Sequence, residues 1–212
     1  MKQNKNLIYG LIVIAGMLLA YVTTQNEVKP VQEDQHEHVT QKPQVTNRGK
    51  MPISLQPGFT QIGRIQVKAP KTWQKETPSS NMRVAQFRLP KVSGDAEDAS
   101  IAVFSGIGGG VDGNIDRWVG QFKRADGKPM ADFASISTET KGTIKITYVS
   151  AEGIFLASSM GGAGEEKRNF KLMAAIVETE TEPYFFKGTG PVKTIDAFEK
   201  EFVRFIESIV AL

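Results

Sequence analysis

The first hydrophobic feature of the chain is an uncharged apolar run at residues 7–22, LIYGLIVIAGMLLAYV, which follows Lys2 and Lys5. A positive start before a long apolar run is typical of an export signal, with the lysines remaining in the cytoplasm. A helix over residues 7–24 would be about 27 Å long, close to the ~30 Å hydrocarbon core of a bilayer. Cleaved signal peptides usually carry only about 7–15 apolar residues. We therefore expect residues 1–24 to be a retained membrane anchor, with a cleaved signal as the alternative.

Residues 25–56 show neither a helical nor a strand period. They are rich in Gln, Glu, Lys, Thr and Pro and contain no aromatic residue. Such a segment buries too little apolar surface to offset its ordering entropy, so we expect a flexible polar linker. Both histidines, His36 and His38, lie here beside Asp34 and Glu37. Weak capture of a divalent metal is the alternative to a plain linker, but a flexible segment has no surrounding side chains to orient the ligands.

From residue 57 onward the pattern is that of a folded domain, residues 57–212. Alternating or short apolar runs predict strands at 63–67, 83–89, 101–104, 132–138, 143–150, 170–178 and 184–188. The last two strands are joined through Thr181-Glu182-Pro183, which predicts a hairpin. Apolar positions three and four apart predict amphipathic helices at 111–122 and 192–212. Because most consecutive strands have no helix between them, the predicted fold is α+β, a mostly antiparallel sheet covered by two main helices.

Composition supports a globular domain and excludes several classes of function. Hydrophobic residues make up 40% of the chain and charged residues 23%, which is enough apolar material for a core. Residues 57–212 hold 20 Lys and Arg against 19 Asp and Glu, a net charge of +1, with no basic stripe. A nucleic-acid-binding protein is therefore not expected. The chain has no cysteine, which excludes disulfides, thiolate catalysis, cysteine-based zinc sites and a lipidated cysteine.

Short segments spread over nearly the whole domain resemble a family of exported, largely uncharacterised bacterial proteins. They are residues 69–73 (APKTW), 78–83 (PSSNMR), 85–87 (AQF), 94–99 (GDAEDA), 114–118 (NIDRW), 121–122 (QF), 175–178 (AIVE) and 185–187 (FFK). The order of strands and helices is similar to the PsbP-like fold, an α/β/α sandwich. The resemblance implies this architecture and a place outside the cytoplasm. It brings no catalytic motif, so it implies no catalytic residue.

A glycine-rich stretch, residues 106–113 (GIGGGVDG), follows a predicted strand and opens the first predicted helix. Gly108, Gly110 and Gly113 match G-x-G-x-x-G, with which dinucleotide-binding proteins approach a pyrophosphate. No ribose-binding carboxylate follows, and the next predicted strands are antiparallel, unlike those of a dinucleotide fold. We expect a strand-to-helix turn without a cofactor. An anion or small ligand at free helix N–H groups is the remaining alternative.

Two further patterns have a structural and a functional interpretation. The glycine-rich residues 160–167 are expected to form a surface crossover loop, and a mobile functional loop is the alternative. The carboxylates of Asp95, Glu97 and Asp98 crowd into one turn. A calcium loop also needs ligands at regular alternate positions and a closing glutamate, which are absent, so a solvated acidic turn is expected.

The serine pairs at residues 79–80 and 158–159 have no histidine in the domain to act as a base. A Ser-His-Asp hydrolase is therefore not expected, although a Ser-Lys pair stays formally open. The two tryptophans, Trp73 and Trp118, are expected in the core or capping it, and an exposed recognition site is the alternative.

With no histidine or cysteine in the domain and no convergent acid–base pattern, the sequence favours a non-catalytic binding or assembly-support module. We expect it on the periplasmic side of a membrane, held by residues 1–24, with a possible protein partner outside the cytoplasm. The alternative is an extracytoplasmic hydrolase or small-ligand-processing enzyme that uses carboxylates and lysines. No catalytic, cofactor-binding or metal-ligating residue is assigned from the sequence.

Overall fold

The structure is a computed structural model that describes residues 55–159 and 162–212. The predicted anchor 1–24, nearly all of the predicted linker 25–56 and both histidines lie outside the described residues. Within the described residues, no helix combines the length and the apolar character needed to cross a membrane.

The described residues alternate mainly between strands, with two α-helices and one 3₁₀ turn. In chain order the elements are β1 (Thr60–Ile62), β2 (Ile65–Val67), β3 (Gln74–Glu76), β4 (Ala85–Leu89), β5 (Ala99–Ser105), α1 (Gly110–Val119), β6 (Phe122–Lys123), a 3₁₀ turn (Met130–Asp132), β7 (Ser135–Lys141), β8 (Ile144–Ser159), β9 (Gly162–Glu178), β10 (Pro183–Pro191), α2 (Val192–Glu207) and β11 (Val210–Ala211). Strands thus dominate, as the sequence pattern predicts.

Eight strands form one large sheet in the order β3-β4-β5-β10-β9-β8, with β6 and β7 both paired to the outer side of β8. Each of these pairs is antiparallel. Strands β1, β2 and β11 form a separate small antiparallel sheet. The predicted α+β class with a mostly antiparallel sheet is confirmed. The glycine-rich turn after β5 therefore does not belong to the parallel crossover unit that a dinucleotide site requires.

The two helices cover opposite faces of the large sheet, and each face has its own apolar core. Side chains alternate along a strand, so neighbouring residues of β10 enter different cores. Phe186 packs with Phe202 and Phe205 of α2, whereas Phe185 packs with Trp118 of α1. The ring centroids of Phe186 and Phe205 lie 5.7 Å apart, and those of Trp118 and Phe185 lie 6.3 Å apart. This layering is the predicted α/β/α sandwich.

Both tryptophans are core residues, as predicted. Trp73 is 6% exposed and Trp118 is 3% exposed. Trp73 packs in the core beneath α2, with its ring centroid 4.9 Å from that of Phe205.

Both helices end earlier than the apolar period predicts. Helix α1 ends at Val119 instead of residue 122, because Gly120 follows and Phe122 already pairs with Phe155 of β8. Helix α2 ends at Glu207, and the last apolar residues form β11 against β2. In both places an apolar side chain continues the helical period while its backbone pairs with a strand.

The strands also differ from the prediction at their ends. A 3₁₀ turn takes up the start of the predicted strand 132–138, and β7 begins only at Ser135. Strands β8 and β9 are longer than predicted, since their pairing continues as far as Ser159 and Gly162. The predicted crossover loop at 160–167 is therefore wrong for the residues from Gly162 onward, which continue the ladder of β8 and β9. Glycine there lowers strand propensity only weakly, and the ladder overrides it.

Candidate functional site

The glycine turn between β5 and α1 forms one wall of a pocket. Gly106, Gly109 and Gly110 have φ angles of +64°, +99° and +62°, which residues with a Cβ atom rarely adopt. Asn114 of α1 is fully buried and donates from Nδ2 to the carbonyl oxygens of Gly108 (3.1 Å) and Gly110 (2.6 Å). The predicted strand-to-helix turn is confirmed, and the amide of Asn114 holds its shape.

Lys187 of β10 lies on the sheet face that α1 covers. Because side chains alternate along the strand, Lys187 shares that face with Phe185, and Phe186 belongs to the opposite core. Directly across from Lys187 are Ala102 of β5 and Ala174 of β9. Opposite residues have Cβ atoms only about 5 Å apart. Two alanines beside the lysine therefore leave open space above the sheet.

A cavity of about 600 Å³ occupies this space, between the sheet, the glycine turn and α1. We call it the cationic pocket. The apolar part of its lining consists of Met82, Phe104, Ile107 and Trp118. The polar part consists of Gly108, Arg117, Gln121 and Lys187. Its volume falls within the range of about 300–1,000 Å³ that is typical of small-molecule sites.

Gln121 connects the pocket to the sheet. Its backbone carbonyl accepts a hydrogen bond from the N–H of Leu156 in β8 at 2.8 Å. Its side-chain Oε1 accepts a hydrogen bond from Nζ of Lys187, and the same Nζ lies 5.7 Å from the ring centroid of Phe155. An ammonium group has three N–H donors, and the described residues supply a hydrogen-bond acceptor for one of them. Lys187 therefore has donor capacity for a ligand.

The pocket is positively charged, and its cationic side chains are not paired with carboxylates in the described part of the chain. Arg117 donates to Oδ1 of Asn114, and Arg83, which is not part of the lining, donates to Oε1 of Gln86 at 2.6 Å. Among the described residues, no carboxylate oxygen lies within 4.0 Å of the charged nitrogens of Arg83, Arg117 or Lys187. Burial lowers the pKa of Lys187 to about 8, and the charges of Arg117 and Arg83 act in the same direction. A bound anion would oppose this shift, because a nearby negative charge favours the protonated amine.

The lining residues carry cationic and apolar groups. None of them carries a carboxylate, a hydroxyl or an imidazole, which are the groups that serve as nucleophile or general base in most hydrolases. They offer cationic donors beside an apolar wall. Such a lining can hold an anion and exclude water from its apolar part.

The acidic turn does not form a common site, because its three carboxylates have separate partners. Asp95 accepts hydrogen bonds from the N–H (2.8 Å) and the Oγ1 (2.6 Å) of Thr194 in the first turn of α2. Asp98 pairs with Arg88 at 3.0 Å, and Glu97 pairs with a lysine of β9 at 2.6 Å. No group of three or more potential metal ligands occurs in residues 55–159 and 162–212. Asp95 thus caps a helix, which the sequence pattern did not reveal.

The serine pair at residues 79–80 lies in the turn that precedes β4. There Oγ of Ser80 accepts a hydrogen bond from the N–H of Met82 at 3.3 Å, a local turn contact of a kind common for serine. The side chains of the second pair, at 158–159, lie outside the described residues. The contacts of the described serine pair thus give no support to a Ser-Lys site.

Sequence reasoning missed the polar side chains of the pocket, Arg117, Gln121 and Lys187. One signal was present in β10. The run Tyr184-Phe185-Phe186 is apolar on both faces, as expected for a strand covered on both sides. The lysine that follows in the same run must therefore lie on a covered face. An unpaired charge on such a face costs free energy because it loses hydration.

No protein-family model matches this chain, and no curated protein matches it either. Among solved structures it is similar to the solution structure of cyanobacterial PsbP (CyanoP) from Synechocystis sp. PCC 6803. The TM-score is 0.43 and the sequence identity 10%, with 70% of this chain and 87% of that chain covered. Neither the TM-score nor the sequence identity supports a transfer of function from that protein to this chain.

Proposed function

We propose that this chain is a non-catalytic binding module that holds an anionic small molecule in the cationic pocket. The observation that carries the proposal is that Arg117 and Lys187 line one cavity without a carboxylate partner in the described part of the chain. The charge of Arg83 acts on the same amine. Elsewhere on the domain, cations such as Lys123, Arg124 and Lys171 do pair with carboxylates.

Physical chemistry gives a reason why such a cluster points to a ligand. A half-buried ammonium beside other cations destabilises the folded state, because its charged form loses hydration and gains repulsion. Titratable groups perturbed in this way are concentrated at functional sites. A ligand anion would supply the missing negative charge, and the N–H donors of Lys187 and Arg117 would hold it by charge-assisted hydrogen bonds.

The proposed location of the module rests on the N-terminal residues. We propose that a domain of residues 57–212 is displayed outside the cytoplasm, held by the anchor 1–24 through the linker 25–56. Support comes from the apolar run after Lys2 and Lys5 and from the resemblance to exported bacterial proteins. The expected protein partner outside the cytoplasm stays a prediction.

Binding of simple anions tests the proposed site. Backbone-amide NMR spectra of the full chain in detergent micelles are recorded during titration with sodium acetate and, separately, with inorganic phosphate, at constant ionic strength. We expect saturable shifts at Gly108 and Gln121, and loss of saturation in Lys187→Gln. Lys145→Gln, which changes an exposed lysine on β8 paired with Glu178, is the matched control. Shifts that persist unchanged in Lys187→Gln would overturn the proposal.

Membrane extraction tests the anchor. We expect the full-length protein to stay with membranes at high salt and to leave them only with detergent. A soluble form that begins near residue 21 or 25 would show that the segment is a cleaved signal instead.

A further inference from the structure

Resting on the proposed anion site, we infer that the ligand is an amphiphilic organic anion, in which a compact apolar body is attached directly to the anionic group. A bare inorganic anion would leave the apolar part of the lining in contact with water.

The apolar wall is large for a site that only neutralises charge. Phe104, Ile107 and Trp118 line the cavity together with Met82. Trp118 is 3% exposed and belongs to the core beneath α1, and Phe104 and Ile107 pack against the same core. These side chains are therefore held in place by packing. A rigid, preformed apolar surface is what small-molecule sites offer to the body of a ligand.

The cations lie within the same cavity as this wall. Trp118 directly follows Arg117 on α1, and both line the cavity with Lys187. An anionic group bound to Arg117 and Lys187 would thus have apolar side chains as its immediate neighbours. A ligand whose apolar body begins at the atom next to the anionic group satisfies both parts of the lining at once. Binding that body removes apolar surface from water on both sides, which adds affinity.

Met82 gives the wall an exposed outer residue. It is 68% exposed, the highest value among the large hydrophobic residues of the described chain. It follows the serine turn before β4 and adds a flexible thioether to the lining. Methionine adapts its shape to a bound body and makes favourable contacts with aromatic rings. A small aromatic carboxylate is therefore a suitable probe of the inferred ligand class.

The test compares three probes on the full chain in the same detergent, with tryptophan fluorescence and calorimetry as readouts. Acetate carries only the anionic group, benzyl alcohol carries only the ring, and benzoate carries both. We expect the Kd of benzoate to be about tenfold or more below that of acetate, since the ring buries additional apolar surface. We expect no saturable binding of benzyl alcohol, because the cations would remain unpaired.

Two variants separate the ring from the anionic group. Met82→Ser should weaken benzoate binding about threefold and leave acetate binding unchanged, because it shortens only the apolar wall. Ile136→Ser is the matched control, since Ile136 is also an exposed apolar residue (52%) and does not line the cavity. It should change neither affinity. Because Met82 is largely exposed, its replacement leaves the core intact.

The outcomes distinguish this inference from the function on which it rests. If acetate binds to Lys187 and benzoate binds no more tightly, the inferred ligand class is wrong and the anion site stands. If neither anion binds, both are wrong. If benzyl alcohol binds as tightly as benzoate, the pocket does not recognise the anionic group and both are again wrong. If Met82→Ser and Ile136→Ser weaken benzoate equally, the apolar wall is not the contact, and the inference is overturned.

Discussion

Replacing Lys187 by methionine should stabilise the ligand-free protein, even though it removes a hydrogen bond. The ammonium of Lys187 lies among apolar side chains near two guanidinium groups, and its pKa falls from the usual 10.5 to about 8. Methionine has an unbranched side chain of similar length that carries no charge. The substitution therefore removes the unfavourable charge and retains most of the packing.

The pKa difference sets the size of the effect. A fall from 10.5 to about 8 corresponds to about 3 kcal/mol of unfavourable free energy in the folded state, at ~1.36 kcal/mol per pKa unit. Loss of the hydrogen bond to Gln121 offsets about 1 kcal/mol of the gain. A net stabilisation of about 2 kcal/mol would raise the Tm of a domain of this size by roughly 4–8 °C.

The gain should depend on pH in a defined direction. Between pH 8 and 10.5 the unfolded chain holds the proton of Lys187 and the folded chain has lost it. Stability of the wild type therefore rises through this window. Below pH 8 both states are protonated and the full penalty applies, so the advantage of Lys187→Met is greatest there. It should shrink as the pH rises through this window, because the charge penalty disappears while the loss of the hydrogen bond remains.

Circular-dichroism melting of the full chain at pH 7, 8, 9 and 10 measures both effects. Lys145→Met is the control, because Lys145 is exposed and pairs with Glu178 at 3.1 Å, so its loss should not raise the Tm. A Tm of Lys187→Met below that of the wild type at pH 7 would refute the reasoning. So would a stabilisation that is equal at pH 7 and pH 10.

Three further predictions concern the fold and the linker. Phe202 lies on the buried face of α2 and is 1% exposed, so Phe202→Ala should cost about 3–5 kcal/mol, seen as a sharp fall in Tm; an unchanged Tm with lost vesicle or partner binding would show that this face of α2 points outward. Asp95→Ala should lower the free energy of unfolding by about 1–2 kcal/mol, because it removes the acceptor at Thr194; in urea titrations, an equal effect of Glu97→Ala would argue against the cap. Limited proteolysis should cut first within residues 25–56, and first cuts within α1 or α2 would show that the domain boundary is misplaced.

The helices and the longer strands could be predicted because their apolar periods extend over several residues. In α2, Ile195, Phe202 and Phe205 repeat at helical spacing, and all three are buried. Strands such as β6 and β11, with two residues each, have no period to detect. Their apolar residues continued the pattern of the preceding helix, so both helices were predicted too long.

The cationic pocket could not be predicted in the same way, because its parts are distant in sequence. Arg117 and Gln121 come from α1 and the segment after it, whereas Lys187 comes from β10. The pairing of β10 with β5 and β9 brings Lys187 under α1 and places two alanines beside it. Only the glycine turn, one wall of the pocket, gave a local signal, and there the sequence left open an anion or small ligand. Charge convergence of this kind depends on sheet register, which short-range patterns do not contain.

The pKa of Lys187 with and without a bound anion is the most direct test of the cationic pocket. It can be measured by following the ¹³Cε resonance of Lys187 through a pH titration, assigned by its absence in Lys187→Met. The account predicts a midpoint of about 8 for the free protein and a higher midpoint with saturating benzoate, because a bound anion favours the protonated amine. A midpoint near the ordinary lysine value of ~10.4, or one that benzoate leaves unchanged, would contradict the account.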